Sequence, residues 1–364
     1  MNIVVNAVFM HQKPRGVGRV ANNILKKVAE KDTENQYYIC YGKWQKYDFL
    51  KIKNSNFHFV ELDIPVNAFL RNFYLAFVLP FKIRKYKPDV YHLMDTSPLY
   101  VKTCPTISTI HDLAEFTVPD KYNSVKCFLR KIYVKRQAKK SDLVITVSNY
   151  TRKDLIERFG LLEDHVRVVY NFFEKPRNFA PDAEKPYKNY FLMVGELERT
   201  KNVGMVIEAF SKVKNQLADD FKLVIVGKPG NDYNHILAKI NQYNAKDFIE
   251  LCNYVSDVEL FELYNHAFAL IFASLFEGFG LPILEAMSFG VPVISSNATS
   301  MPEVAGDAGM MFDPYNCEQL ENCMVFLCQN PAQRKRMIQK GYTQIDRFDP
   351  DKIVEQLLKI YGEF

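Results

Sequence analysis

ALIFASLFEGFGLPILEAMSFGVPVISS, residues 269–296, reads as strand, glycine-bearing loop, helix and strand. Ala269–Phe272 and Val291–Ser295 are short, unbroken apolar runs. Such runs suit strands buried on both faces of a parallel sheet, where no polar face alternates with an apolar one. Between them Gly278 and Gly280 loosen the loop, and Pro282 stands at the first-turn position that proline favours. A strand that returns to a parallel neighbour through a helix is the repeating unit of a doubly wound α/β domain. Ligands of such domains bind in the loops beyond the carboxyl ends of the strands.

The same alternation runs through the rest of the chain. Strands are predicted at Asn2–Val8, Tyr37–Tyr41, Phe57–Leu62, Asp89–Leu93, Thr106–Ile110, Leu143–Val147 and Val166–Tyr170. Others follow at Tyr190–Gly195, Lys222–Val226, Ile249–Leu251 and, past the quoted stretch, Gly309–Phe312. A chain of 364 residues is too long for one ordinary core, because domains run to about 150–200 residues. The break falls in FFEKPRNFAPDAEKPYKN (172–189), which has three prolines, several charges and no period, and reads as a linker. The sequence thus predicts a Rossmann-like domain over 1–178, a second over 179–350, and a terminal helix within 351–364. That helix carries Ile353, Val354, Leu357, Leu358 and Tyr361 on one stripe and can pack back on the N-terminal domain.

The chain is 48% hydrophobic and 24% charged, the balance of a folded soluble protein. Its seven cysteines are scattered without a Cys-x-x-Cys pair, which points to reduced thiols in the cytoplasm and away from disulfides or a zinc cluster. No basic flank precedes the apolar start, so no signal peptide is expected. The longest apolar run, Phe73 to Phe81, has nine residues, where a bilayer span needs about 20. Charge is unevenly shared. Residues 1–170 hold 28 basic and 16 acidic side chains, a net +12, and residues 171–364 hold 19 and 26, a net −7, which gives the chain its +5. The N-terminal half is therefore expected to face an anionic partner: nucleic acid, anionic lipid or a phosphorylated acceptor. Phe69 to Lys87 and Lys121 to Lys140 mix aromatic and basic residues as interfacial helices do, although ordinary helices covering the first sheet would look the same.

Four segments carry candidate chemistry. In the quoted stretch the amides of Gly280, Leu281 and Ile283 lie at a helix start, where free N–H groups and the positive dipole end suit a diphosphate. Glu277 before the helix and Glu285 in its first turn can reach one ligand. A carboxylate can accept both hydroxyls of a vicinal diol, a ribose for Glu285 and a sugar ring for Glu277. The plain alternative is a capped helix whose acids complement its own dipole. Val194-Gly-Glu-Leu-Glu-Arg-Thr-Lys-Asn202 follows the second domain's first strand, and Arg199 and Lys201 bring a fork and a point charge beside the anion site. Lys13-Pro-Arg-Gly-Val-Gly-Arg-Val-Ala21 satisfies G-x-G-x-x-A with Gly16, Gly18 and Ala21. Seven residues separate Gly16 from Val8 and no acid closes the second strand, so it is not read as a dinucleotide fingerprint. Thr109-Ile-His111-Asp112 ends a buried strand, where His111 can bond a sugar hydroxyl or be a satisfied core histidine. His92 is a similar strand-end residue and a candidate pocket member.

The spacing of glutamate, seven residues, glutamate within EGFGLP-x-LEAM resembles the signature of the family 4 glycosyltransferases. Glu277, Gly278, Phe279, Gly280, Leu281, Pro282, Leu284, Glu285, Ala286 and Met287 all fall in place. VSNYTRKDLIERFG (147–160), VRVVYN (166–171), FGVPVISSN (289–297) and MPEVAGDAG (301–309) extend the resemblance over residues 106–350, with a weaker echo at the Gly16–Arg19 loop. Departures are Ala273 for a common proline, Thr200 in the usual arginine slot with Arg199 one place earlier, and Phe172–Phe173 for an Asn-Gly turn.

The resemblance implies a GT-B fold, two doubly wound Rossmann-like α/β domains facing across a cleft. It implies retaining transfer of a hexose from a nucleotide-diphosphate sugar. It gives catalytic roles to Glu277, His111, Lys201 and Arg199, and donor contacts to Gly16, Gly18, Phe279, Gly280, Leu281 and Glu285. Similarity to mannosyl and rhamnosyl enzymes makes GDP-mannose the first donor expected and UDP-hexoses the second. The acceptor is expected to be a glycan or a polyprenyl-linked sugar, reached by a cytoplasmic protein at the inner face of the plasma membrane through peripheral contact with anionic lipid. No Asp-x-Asp follows a strand in these loops, so neither a metal nor another cofactor is expected. Nucleic acid is not an expected partner. Two rivals stand beside this reading: a nucleotide-sugar 2-epimerase of the same fold, and a non-catalytic nucleotide- or nucleic-acid-binding protein. Glu277, Glu285 and Lys201 count against the latter, since a binder needs no acids near phosphates.

Overall fold

The apolar runs form two all-parallel sheets. The computed structural model describes residues 1–9, 16–45, 52–118, 124–180, 187–218 and 220–364. Lys13–Arg15 of the glycine loop, Lys121–Asn123 of the second basic stretch and residues 181–186 of the expected linker lie outside the described residues. The chain divides into an N-terminal unit, Met1–Phe172 with Asp349–Phe364, and a C-terminal unit, Phe173–Phe348.

The N-terminal unit is built on β1 (Asn2–Asn6), β2 (Gln36–Gly42), β3 (Phe57–Leu62), β4 (Val90–Leu93), β5 (Thr106–Ile110), β6 (Leu143–Thr146) and β7 (Val166–Val168). Their order across the sheet is β3-β2-β1-β4-β5-β6-β7. Its helices include α1 (Val17–Lys31), α2 (Ala68–Phe73), α3 (Leu79–Lys82), α4 (Ala114–Thr117), α5 (Ser124–Lys140) and α6 (Asn149–Phe159), with a π turn at Tyr74–Val78 between α2 and α3. The C-terminal unit is built on β8 (Asn189–Val194), β9 (Phe221–Val226), β10 (Ile249–Cys252), β11 (Ala269–Phe272), β12 (Val293–Ser296) and β13 (Gly309–Phe312), in the order β10-β9-β8-β11-β12-β13. Its helices are α7 (Val203–Val213), α8 (Tyr233–Gln242), α9 (Asp257–His266), α10 (Leu281–Ser288), α11 (Met301–Ala305), α12 (Cys317–Gln329) and α13 (Pro331–Ile345). Each predicted run is a strand, with ends displaced by no more than two residues. Two ends have clear causes: the Asn6 side chain accepts the Val8 N–H at 3.0 Å and turns the chain after β1, and Pro292 cannot donate to the ladder, so β12 begins after it.

Both sheets start in the middle, build outward to one side, then cross to the other. The reversal lies between β1 and β4 in one unit and between β8 and β11 in the other. At such a switch point the loops leave the strand ends in opposite directions and open a crevice. The strands flanking the second one, β8 and β11, are buried almost throughout, and Phe191, Phe210, Ile225 and Ile271 seal the sheet against α7 and its neighbours.

The chain returns to the N-terminal unit in α14 (Pro350–Tyr361). The Asp349 side chain caps it, accepting the Lys352 N–H at 3.0 Å. Its buried stripe is Ile353, Val354, Leu357, Ile360 and Tyr361; Leu358 is only half-buried. Asp351 pairs with Lys27 and Lys31 of α1 at 3.1 and 3.2 Å, and the Gln356 amide donates to the Val168 carbonyl at 2.8 Å. Two expectations need correction. His92 is no pocket residue: it is 1% exposed, with Nδ1 2.7 Å from the Tyr361 hydroxyl and Nε2 2.9 Å from that of Thr109. Burial, and secondarily His111, push its pKa down to about 3. The start of the expected linker is also no free tether. Phe173 and Phe179 pack on Phe261 and Phe289, with Lys175 over the Phe289 ring at 4.4 Å.

Candidate active site

In the C-terminal unit the loops after β8 and β11 meet at the switch point. After β8 the chain passes Gly195 and folds into a 3-10 turn, Arg199–Lys201, held by the Lys201 N–H on the Glu198 carbonyl at 2.9 Å. The Lys201 stem lies across Gly195; a Cβ there would stand 3.1 Å from Lys201 Cε, so glycine leaves the lysine its path. The carbonyl of Thr200 accepts the Leu275 N–H at 2.7 Å, which ties this turn to the loop beyond β11. Lys201 Nζ donates to Glu277 Oε1, and the Ser274 hydroxyl donates to the same oxygen at 2.8 Å. Both charged side chains are 19% exposed. A carboxylate, an ammonium and a hydroxyl are thus fixed together at the mouth of a parallel sheet.

The backbone around Glu277 is held from the next loop. Its N–H donates to the Thr299 hydroxyl at 3.1 Å, and the Ser300 hydroxyl lies 3.0 Å from the Glu277 carbonyl and 2.9 Å from that of Phe279. The Ser296 hydroxyl donates to the Ser274 carbonyl at 2.6 Å. None of these hydroxyls is among the candidate residues that the sequence motifs provide. Their signal was the polar run SSNATS at 295–300 directly after an apolar strand. Gly280 caps α10 at φ +105°, a conformation that strains any other residue.

The other sites fall out unevenly. Gly280 and Leu281 stand at the start of α10, but the Ile283 N–H is turned back onto the Gly280 carbonyl at 3.0 Å. Glu285 lies in the second turn of α10, not the first, and is 2% exposed; its Oε2 accepts the Tyr264 hydroxyl at 2.8 Å. Tyr264, which the sequence reading missed, stacks on Phe289 at 5.8 Å. The Phe279 ring is core, packed edge-on against Phe348. Arg199 is exposed and lines a cavity of about 410 Å³ with Asn202, Gly204, Met205, Asp232 and His235. In the N-terminal unit Gly16 caps the start of α1 and Gly18 is buried in its first turn. His111, just past β5, donates from Nε2 to the Met94 carbonyl at 2.9 Å.

Solved structures share this architecture along the whole chain. Sucrose-phosphate synthase from Thermosynechococcus elongatus matches at a TM-score of 0.81 with 18% identity, over 100% of this chain and 98% of that one. HepE of Anabaena, solved with UDP and glucose, matches at 0.75 with 16% identity over 100% of both. The fold is GT-B. A family model described as Glycosyltransferase Family 4 matches residues 14–175, and one described as Glycosyl transferases group 1 matches residues 174–344. Both models describe glycosyltransferases and together they span residues 14–344, so the protein is a glycosyltransferase with a family 4 domain followed by a group 1 domain. It is 28% identical over 291 residues to O-antigen chain mannosyltransferase B of Escherichia coli, 77% of this chain and 75% of the relative. It is 36% identical over 187 residues to O-antigen chain mannosyltransferase RfbU of Salmonella typhimurium, half of this chain and 48% of RfbU. A third relative, 25% identical over 332 residues (85% of this chain and 87% of its own), is the N-acetylgalactosamine-N,N'-diacetylbacillosaminyl-diphospho-undecaprenol 4-alpha-N-acetylgalactosaminyltransferase of Campylobacter jejuni.

Proposed function

We propose that the chain transfers mannose, with retention of anomeric configuration, from GDP-mannose to a glycan carried on a polyprenyl diphosphate. The observation that carries this reading is the Lys201–Glu277–Ser274 constellation at the switch point, beside the start of α10. Departure of a nucleoside diphosphate leaves negative charge on the phosphate and positive character on the sugar ring. Lys201 and the N-terminus of α10 oppose the first, a kind of preorganised stabilisation worth several kcal/mol. Glu277 orients the sugar through its hydroxyls. Its oxygen is held by two donors, which suits a fixed hydrogen-bond acceptor better than a covalent nucleophile. The leaving phosphate then takes the acceptor proton on the same face. With these protein groups opposing the charge, the reaction runs without a divalent metal.

The mannosyl donor is favoured by the two O-antigen mannosyltransferases among the relatives, and the lipid-linked acceptor by the undecaprenol-dependent one. UDP-hexoses are the second choice of donor, in line with the UDP-bound neighbour. The N-terminal unit takes the acceptor, and the protein works in the cytoplasm at the membrane's inner face. No helix among the described residues is long and apolar enough to cross a membrane.

A panel of nucleotide sugars, read by release of nucleoside diphosphate and by the anomeric proton of the product, tests the whole proposal. GDP-mannose should turn over fastest, give an α-linked product, and do so unchanged in excess chelator. Conversion to the 2-epimer without transfer would replace the reading. Activity lost in chelator and restored by magnesium or manganese would end the metal-free mechanism.

A further inference from the structure

The helical run from Ala68 to Tyr86 is apolar on two sides. Inward, Tyr74, Leu79 and Ile83 join Val4, Tyr91 and Leu93 in the core. Outward, Phe69, Leu70, Phe73, Phe77 and Phe81 are 78, 53, 55, 40 and 54% exposed. Four of these recur every fourth residue. In an uninterrupted α-helix that spacing overshoots each turn by about 40°, so the rings would drift around the helix. The π turn at Tyr74–Val78 is wider, and four residues fall short of it. Placed in mid-run, it cancels much of the drift and keeps the phenylalanines on one side. Phe73 and Phe77 do meet, at 5.1 Å between ring centres.

The second aromatic and basic stretch lies beside the first. The Phe77 ring is 5.3 Å from that of Tyr100, and Arg136 of α5 lies over the Tyr100 ring at 4.2 Å. Tyr133 of α5 shares a side-chain hydrogen bond with Asn72 of α2. The start of α5 adds Val125 and Phe128, 72 and 64% exposed, with Lys126 and Lys135 also at the surface. Residues 68–87 hold five basic residues and 124–140 hold seven, and neither segment holds an acid. Protruding phenylalanines rimmed by charge of one sign do not resemble a protein interface, where lysine is depleted. They match the boundary of an anionic bilayer, where rings enter the headgroup layer and cations meet lipid phosphates.

We propose that the outer face of the Ala68–Tyr86 run, joined by the start of α5, docks the protein on an anionic lipid bilayer. This deepens the lipid-linked acceptor reading and rests on it for its purpose. Binding itself requires no substrate, so the two can fail separately. The test is sedimentation of the full chain with vesicles of phosphatidylcholine alone or mixed equally with phosphatidylglycerol. Binding to the mixed vesicles at low salt, absent on phosphatidylcholine and lost at high salt, is expected. Phe69→Ser with Phe73→Ser, and separately Lys126→Glu with Lys135→Glu, should each weaken binding at least about tenfold. Thermal midpoint and donor hydrolysis in the absence of lipid should stay unchanged. A chain that remains in the supernatant with anionic vesicles at low salt overturns the proposal. So do variants that bind like the parent, or a face shown by light scattering to be closed by a second copy and released only in the variants.

Discussion

At the switch point of the C-terminal unit, Lys201, Ser274 and Glu277 are bonded to one another, and the next loop braces their backbone through Thr299 and Ser300. The corresponding region of the N-terminal unit offers the glycine-capped start of α1 and a histidine that donates to the Met94 carbonyl. In the first, charged and hydroxyl side chains are bonded directly to one another; in the second, a glycine-capped helix start stands with a histidine bonded to the backbone and a buried Asn6–Ser97–Gln137 network beneath the strand ends. The contrast extends outward. Excluding the terminal helix, the N-terminal half carries the basic excess and the exposed aromatic face, while the C-terminal half is acidic. Under the proposed function, chemistry that must be held to a fraction of an ångström is packed and paired, whereas recognition of a large acceptor or a surface is left open.

The sharpest way to break this contrast is at Lys201. Lys201→Ala removes the cation beside Glu277 and should lower kcat/KM for the donor about 10²–10³-fold with the thermal midpoint intact. Lys201→Arg should recover only part of that, because a planar fork does not sit where a point charge does. Unchanged kcat and KM in the alanine variant would remove Lys201 from the mechanism.

A smaller effect should be confined to the other unit. Tyr361→Phe leaves one nitrogen of buried His92 unsatisfied, a loss of about 1–3 kcal/mol. Hydrogen exchange should show the loss in β4 and α14 while α7 and α10 stay protected. Uniform deprotection of both units would mean that they do not unfold independently. The smallest effect is in pH. His92 titrates near 3 in the folded chain against an ordinary 6.5, so the unfolded chain takes up its proton first. The stability this contributes is complete above about 6.5 and is lost as pH falls toward 3. Between neutrality and about pH 5.5 the N-terminal unit should lose roughly 1 kcal/mol, measured by denaturant titration. A His92→Gln variant with the same slope would show that other groups carry it.

Much of this was open to reading because parallel strands are buried on both faces and announce themselves as unbroken apolar runs. Glu277 and Lys201 were legible for the opposite reason, as charges in glycine loops where a strand has just ended. The parts that escaped depend on distant partners or on backbone contacts. His92 looked like a pocket residue because its partner Tyr361 lies 269 positions away. The spacing of Glu285 from Glu277 is visible in the sequence, while the phase of α10 that puts it in the second turn beside Tyr264 is not. Ser274, Thr299 and Ser300 act on carbonyls, an amide and a carboxylate oxygen, work that a small hydroxyl residue signals only faintly. Phe173 and Phe179 sit in an aperiodic, proline-rich segment with the composition of a tether, although aromatic packing fixes them.

The return of α14 to the N-terminal unit sets an order of events during synthesis. Residues 1–172 leave the ribosome first, yet Lys27 and His92 wait for Asp351 and Tyr361 until the whole C-terminal unit has been made. At ordinary elongation rates that interval is on the order of ten to forty seconds. Throughout it the first unit to emerge lacks its last helix, with the seat of Ile353, Val354 and Leu357 uncovered. The C-terminal unit, continuous in sequence, suffers no such delay. The half of the protein born first is therefore the half that matures last, and a chain interrupted between residues 348 and 361 would carry a C-terminal unit complete in sequence beside an N-terminal unit without α14.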